Sequence, residues 1–74
     1  MQESFVINHE ENKKLFTGRE LEILNLIVLG KSNTEIAKDL ILSSHTVKKH
    51  VHSILQKLCV DNRIQAAVKI VRHE

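Results

Sequence analysis

Proline is absent from this 74-residue chain, glycine occurs twice and cysteine once. Without that punctuation, and with few β-branched alternations, the chain lacks the turn signals of a β-fold and reads as all helix. The single thiol, Cys59, cannot close an internal disulfide, so the chain suits a reducing compartment. Long apolar runs are missing too: the longest, Leu26 to Leu29, falls far short of a bilayer. The N-terminus has neither the basic start nor the apolar core of a signal peptide. Together these absences indicate a soluble, cytoplasmic protein with no membrane partner. The length allows one domain with a small core, a size at which stability is marginal and self-association often helps. With 27% charged and 42% hydrophobic residues, the composition is globular rather than disordered.

A further absence is local. No Asp or Glu stands between Ser43 and Leu58, where Lys48, Lys49 and Lys57 contribute +3 to a chain of net charge +2. The remainder is slightly acidic. On a helix stepping about 100° per residue, Val47, Val51, Ile54, Leu55 and Leu58 fall within one arc, ready to lie on a core. His45, Lys49, His52, Ser53 and Gln56 occupy the opposite arc, and Lys48 lies on the flank, where its long side chain can swing outward. A basic, acid-free face is what a phosphate-facing element requires, because each Lys or Arg set against a phosphate releases counterions. A merely solvated helix face can also be basic, and charge alone weights the two readings equally.

The rest of the chain supplies a scaffold. Residues 1–14 are polar apart from Phe5, Val6 and Ile7 and show no helical stripe, so a tail or linker is expected there. Thr17 and Glu20 are spaced as a capping box, with Phe16 and Leu21 as the hydrophobic staple. The first helix is expected to run to about Leu29, with Leu21, Leu24, Ile27 and Val28 inward and Gly30 as a left-handed stop. A second box, Ser32 to Glu35, opens a short helix that packs Ile36, Ala37 and Leu40. After the apolar turn at Ile41 and Leu42, Ser43 caps the basic helix. The position three beyond that cap holds Thr46, not an acid that would repel phosphate from the helix start. Asn62 to Gln65 forms a third box, starting a last helix that ends near Arg72 and carries Ile64, Ala67, Val68 and Val71 in one stripe. Ala66 and Ile70 lie beside that stripe and make more apolar surface than a small bundle needs; a self-association face and an edge of the core explain them equally well.

A short helix, a tight turn and a longer basic helix form a helix-turn-helix, and the residues around it resemble one family. The matching positions are Phe16, Thr17, Arg19, Glu20, Glu22, Ile23 and Leu24; Gly30, Lys31, Ser32, Asn33, Glu35, Ile36 and Ala37; Leu42, Ser43, Thr46, Val47, Lys48 and His50; and Lys57, Leu58, Val60, Arg63 and Ala66. Over about residues 15–72 the chain resembles the C-terminal DNA-binding domain of LuxR/NarL/FixJ-type regulators. The resemblance implies a four-helix, tetrahelical domain over residues 15–74 that binds double-stranded DNA and regulates transcription. Its third helix, residues 44–58, would lie in the major groove of paired half-sites. Family base readers fall at Lys48, Lys49 and His52. Lysine donates well to guanine O6 and N7, so a G-bearing half-site is expected. Ser32, Asn33, Thr34, Ser44, His45 and Thr46 stand at helix starts, where hydroxyls and amides contact phosphate and set register. The family also implies a homodimer through the fourth helix, which assigns Ala66 and Ile70 to that interface, and RNA polymerase is a further candidate partner.

Two departures stand out. The family usually carries Gly where Cys59 stands, so a left-handed turn kept there would cost roughly 1–2 kcal/mol. Receiver or ligand-sensing domains commonly precede this module, so the chain is either a stand-alone regulator or a fragment of a larger one. Enzyme chemistry finds no support, since no nucleophile stands at a useful spacing from a base and its orienter. No metal, cofactor or small-molecule ligand is expected: His50 and His52 diverge by about 200° on a helix, and His45 and His52 are too far apart to share an ion. The competing function is a helical interaction module that dimerises with a regulator without reading DNA.

Overall fold

The computed structural model describes residues 15–72, and the tail expected over residues 1–14 lies outside them. Among the described residues there are four helices and no strand: α1 (Gly18–Val28), α2 (Asn33–Leu40), α3 (Ser44–Leu58) and α4 (Arg63–Arg72). None is long and apolar enough to cross a membrane. The architecture is the all-α, tetrahelical arrangement expected, with α3 packed on α1, α2 and α4.

Local chemistry sets each boundary. Thr17 and Ser32 close capping boxes with Glu20 and Glu35, each hydroxyl accepting an amide and each carboxylate accepting the cap residue's own N–H. At α4 the box is displaced by one residue. Asn62 Oδ1 accepts the Gln65 amide, but Gln65 Oε1 reaches back to the amide of Asp61.

The first three helices end in the same way. Gly30, Ile41 and Cys59 all take the left-handed conformation, with φ of 88°, 56° and 59°. In each case the next amide bonds to the carbonyl five residues back: Lys31 to Leu26, Leu42 to Ala37 and Val60 to Leu55. These are Schellman closures, which satisfy carbonyls that a helix end otherwise leaves open. Only Gly30 adopts that backbone without a steric cost. The strained turn expected at Cys59 is therefore present, and Ile41 is a second one that spacing did not reveal.

Phe16, Ile23, Leu24, Ile27, Ile36, Ala37, Val47, Val51, Ile54, Leu58, Ala66 and Ile70 form one buried core. On α3 the expected stripe is buried, with Leu55 at its margin. The inward face of α1 is turned from expectation: Ile23 is fully buried, while Leu21 and Val28 are only half-buried. Because α1 packs on both α3 and α4, its covered surface is wider than one stripe.

The α4 assignment is corrected. Ala66 is 0% exposed and Ile70 5% exposed, so both belong to this chain's own core and cannot face a second copy. The stripe expected inside is largely outside, with Ile64 at 73% and Val68 and Val71 also exposed. Both stripes are apolar at helical spacing, so periodicity could not say which one the core would take.

Candidate nucleic-acid interface

The outward face of α3 carries His45, Lys48, Lys49, His52 and Gln56, all exposed. Among the described residues, neither lysine and neither of these histidines has an ion pair or side-chain hydrogen bond. The helix opens on Ser43, whose Oγ accepts the Thr46 amide at 3.0 Å and donates to Thr46 Oγ1 at 2.9 Å. No acid stands in its first turn, in contrast to α1 and α2. Its start therefore offers hydroxyls, unpaired amides and the positive end of the helix dipole.

Lys57 does not join this face. Its Nζ lies 2.6 Å from Glu20 Oε1 and 5.7 Å from the centroid of the Phe16 ring. Ser53, placed by spacing on the outward arc, is half-buried and donates to Glu20 Oε2 at 2.8 Å. Burial of the Glu20 carboxylate would by itself raise its pKa. The hydrogen bonds from Lys57, the Thr17 amide and Ser53 outweigh that and hold it down at about 2. One acidic residue thus ties the C-terminal half of α3 to the start of α1 through two side chains. Lysine and serine on a basic helix gave no sequence signal for it, because the partner is 33 to 37 residues away.

Two further cross-links fix α3 and its surroundings. Lys69 of α4 donates to the Leu58 carbonyl at 2.8 Å, satisfying an acceptor at the end of α3. Arg63, at the start of α4, donates from Nη2 to the Lys31 carbonyl at 2.7 Å and from Nη1 to Asn33 Oδ1.

The helix-start residues divide accordingly. Ser44, His45 and Thr46 lie together in the first turn of α3, with Ser44 and His45 exposed. On α2, Ser32 is engaged at both its hydroxyl and its amide by Glu35. Asn33 Oδ1 is held by Arg63, which leaves the Asn33 amide group to donate, and Thr34 is exposed. The α3 start is thus the better prepared of the two for an anion.

Residues 14–70 match the family described as bacterial regulatory proteins, luxR family. The chain belongs to the luxR family. Among its relatives, the spore germination protein GerE of Bacillus subtilis (strain 168) is 42% identical over 62 residues, covering 84% of each chain. The CsgBAC operon transcriptional regulatory protein of Escherichia coli (strain K12) is 43% identical over 70 residues, covering 85% of this chain and 32% of that protein. The transcriptional regulatory protein LiaR of B. subtilis is 56% identical over 52 residues, covering 70% of this chain and 25% of LiaR. The chain therefore spans about a third or less of these two regulators, and most of GerE. As a member of the luxR family it is a helix-turn-helix domain of the transcription-regulator class, with α2 and α3 as the two helices of the motif.

Proposed function

We propose that the domain binds double-stranded DNA in a sequence-specific way and regulates transcription in the cytoplasm, with α3 in the major groove. The observation that carries this reading is the electrostatic sorting of α3. Its outward face keeps Lys48, Lys49 and His52 unpaired, while Lys57 and the nearby acid Glu20 neutralise each other on the far side. A phosphate approaching the outward face meets cations and a helix start free of carboxylate.

In this reading Lys48, Lys49 and His52 contact base edges, the lysines favouring guanine. Ser44, His45 and Thr46 contact phosphate from α3, and Thr34 with the Asn33 amide group does so from α2. Ser32 contributes by holding the α2 cap. Two domains pair through α4 on adjoining half-sites, using the exposed Ile64, Val68 and Val71. A shallow groove of about 380 Å³ runs along this face, lined by Ile64, Gln65, Val68, Lys69 and Arg72. RNA polymerase is a candidate partner in the assembled regulator.

Selection of bound sequences from random duplexes with the purified chain tests the reading. The expected result is a G-bearing half-site, repeated at a fixed spacing. Enrichment of no sequence, with binding indifferent to salt and to loss of Lys48 and Lys49, would overturn it in favour of a protein-interaction module.

A further inference from the structure

Arg63 is the first residue of α4, yet its guanidinium serves α2. Nη2 donates to the Lys31 carbonyl at 2.7 Å, and Nη1 donates to Oδ1 of Asn33, the first residue of α2. The starts of two helices, 30 residues apart in the chain, are thus tied by one planar group. Arg63 and Asn33 are both half-buried at this junction.

A helix start is an unfavourable place for a cation, because the positive end of the dipole lies there. Arg63 stands at two such starts. No acid occupies the first turn of α4, and the acid in the first turn of α2, Glu35, is bound to the Ser32 amide. Among the described residues, Arg63 makes no ion pair. Its charge is therefore uncompensated in the free domain, and a phosphate brought to the start of α2 would offset it.

The effect of the guanidinium on Asn33 is chemically definite. A carboxamide has one end that only accepts and one that only donates, whereas a guanidinium has donors alone. Only Oδ1 can face Arg63, which leaves Nδ2 on the other side of the group. Among the described residues, Nδ2 makes no hydrogen bond. With Arg63 removed, the carboxamide is free to present its oxygen instead, and an oxygen set against a phosphate repels it.

We infer that Arg63 is a positioning residue for DNA: it makes Asn33 an obligate donor to a backbone phosphate at the start of α2, without itself touching the duplex. The inference rests on the DNA-binding reading above and names the group that sets one of its phosphate contacts. A donor held in one orientation fixes register on the backbone. Lysine cannot take this role, since an ammonium keeps the charge but lacks the planar fork that spans two acceptors.

A double-variant cycle on the whole chain tests this, with Arg63→Lys and Asn33→Ala made alone and together. Affinity for a mixed-sequence duplex is read by fluorescence anisotropy, and the urea midpoint is measured for each protein. Asn33→Ala should weaken binding about tenfold, the loss of one hydrogen bond to a charged group. Arg63→Lys should weaken it at least about threefold when Asn33 is present, and by less than about 1.5-fold when position 33 is alanine. A role in stability alone lowers the urea midpoint but changes affinity equally in both backgrounds, and that result overturns the inference. Undiminished binding by either single variant overturns it too. If Arg63→Lys does not fold, Asn33→Asp decides the matter, because its carboxylate still accepts from Arg63 while turning a second oxygen toward the phosphate. It should bind more weakly than Asn33→Ala, and equal or tighter binding overturns the inference. Each of these failures leaves binding through Lys48 and Lys49 intact, whereas absence of duplex binding by the wild-type chain overturns the reading beneath as well.

Discussion

The Lys57 ammonium sits 2.6 Å from the Glu20 carboxylate, one helix reaching back to the cap of another 37 residues earlier. The carboxylate is almost fully buried and also accepts from Thr17 and Ser53, so its charge is satisfied on every side the fold presents. The pair holds the outward face of α3 at a fixed rotation without contributing charge to it.

Acid stability follows from this pair. Glu20 titrates at about 2 in the folded chain against an ordinary 4.5, a depressed value. Its contribution, about 3 kcal/mol from the size of the shift, is present above pH 4.5 and is lost as pH falls toward 2. Glu20→Gln should lower the urea midpoint at neutral pH by an amount worth about 2–3 kcal/mol and flatten the acid limb of stability. An acid limb of unchanged steepness in the variant would show that other carboxylates govern it. Glu35, lowered by its bond with the Ser32 amide, contributes in the same direction.

The two left-handed turns predict gains in stability. Cys59 and Ile41 are exposed, Ile41 at 90%, so replacing either removes little packing. Glycine relieves about 1–2 kcal/mol of steric cost and returns part of it as unfolded-chain entropy. Cys59→Gly and Ile41→Gly should each raise stability by about 0.5–1 kcal/mol, and the two gains should add because the sites flank opposite ends of α3. Duplex affinity of Cys59→Gly should stay unchanged. A lowered or unmoved urea midpoint would count against strain at these turns.

The three lysines of α3 should separate by phenotype. Lys48→Ala and Lys49→Ala should each weaken duplex binding, by about 1–3 kcal/mol if the contact is bidentate to a base, with the urea midpoint unmoved. Lys57→Ala should instead lower the midpoint, because it strands the Glu20 carboxylate. A Lys57 variant of full stability but weakened binding would mean that Lys57 leaves Glu20 on the DNA.

On α4 the buried and exposed stripes make opposite predictions. Ala66→Glu and Ile70→Glu place a charge in the core and should unfold the domain. Ile64→Glu and Val68→Glu leave the core intact and should abolish coupling between half-sites, while single half-site affinity stays within about twofold, a few tenths of a kcal/mol. Sedimentation and two-site titration read both effects, and a folded Ile70→Glu domain would contradict the burial described.

The fold was largely legible because its signals are local. Two capping boxes, Gly30 and the Val47, Val51, Ile54, Leu58 stripe each act within one helix or its cap, and the structure keeps all of them. What sequence could not resolve depends on partners far along the chain. Lys57 counted toward the free positive charge of the Ser43 to Leu58 stretch because nothing within a few residues marks Glu20 as its partner. Ala66 and Ile70 looked like surplus surface because α4 carries two apolar stripes, and only the docking of α1 and α3 chooses between them. Ile41 gave no sign at all, since a β-branched residue is a poor candidate for a left-handed turn. At the candidate interface, spacing placed His45, Lys49 and His52 outward and Lys48 on the flank, and all four are exposed.

The bond from Lys69 to the Leu58 carbonyl also bears on how the protein is made. Helix α3 ends in a carbonyl that, among the described residues, accepts from a side chain eleven positions later. A chain emerging from its N-terminus therefore completes α3 before it possesses the group that closes it. The helix reaches its finished form only once α4 has been synthesised and docked, so an interrupted chain carries the basic sequence without its proper scaffold.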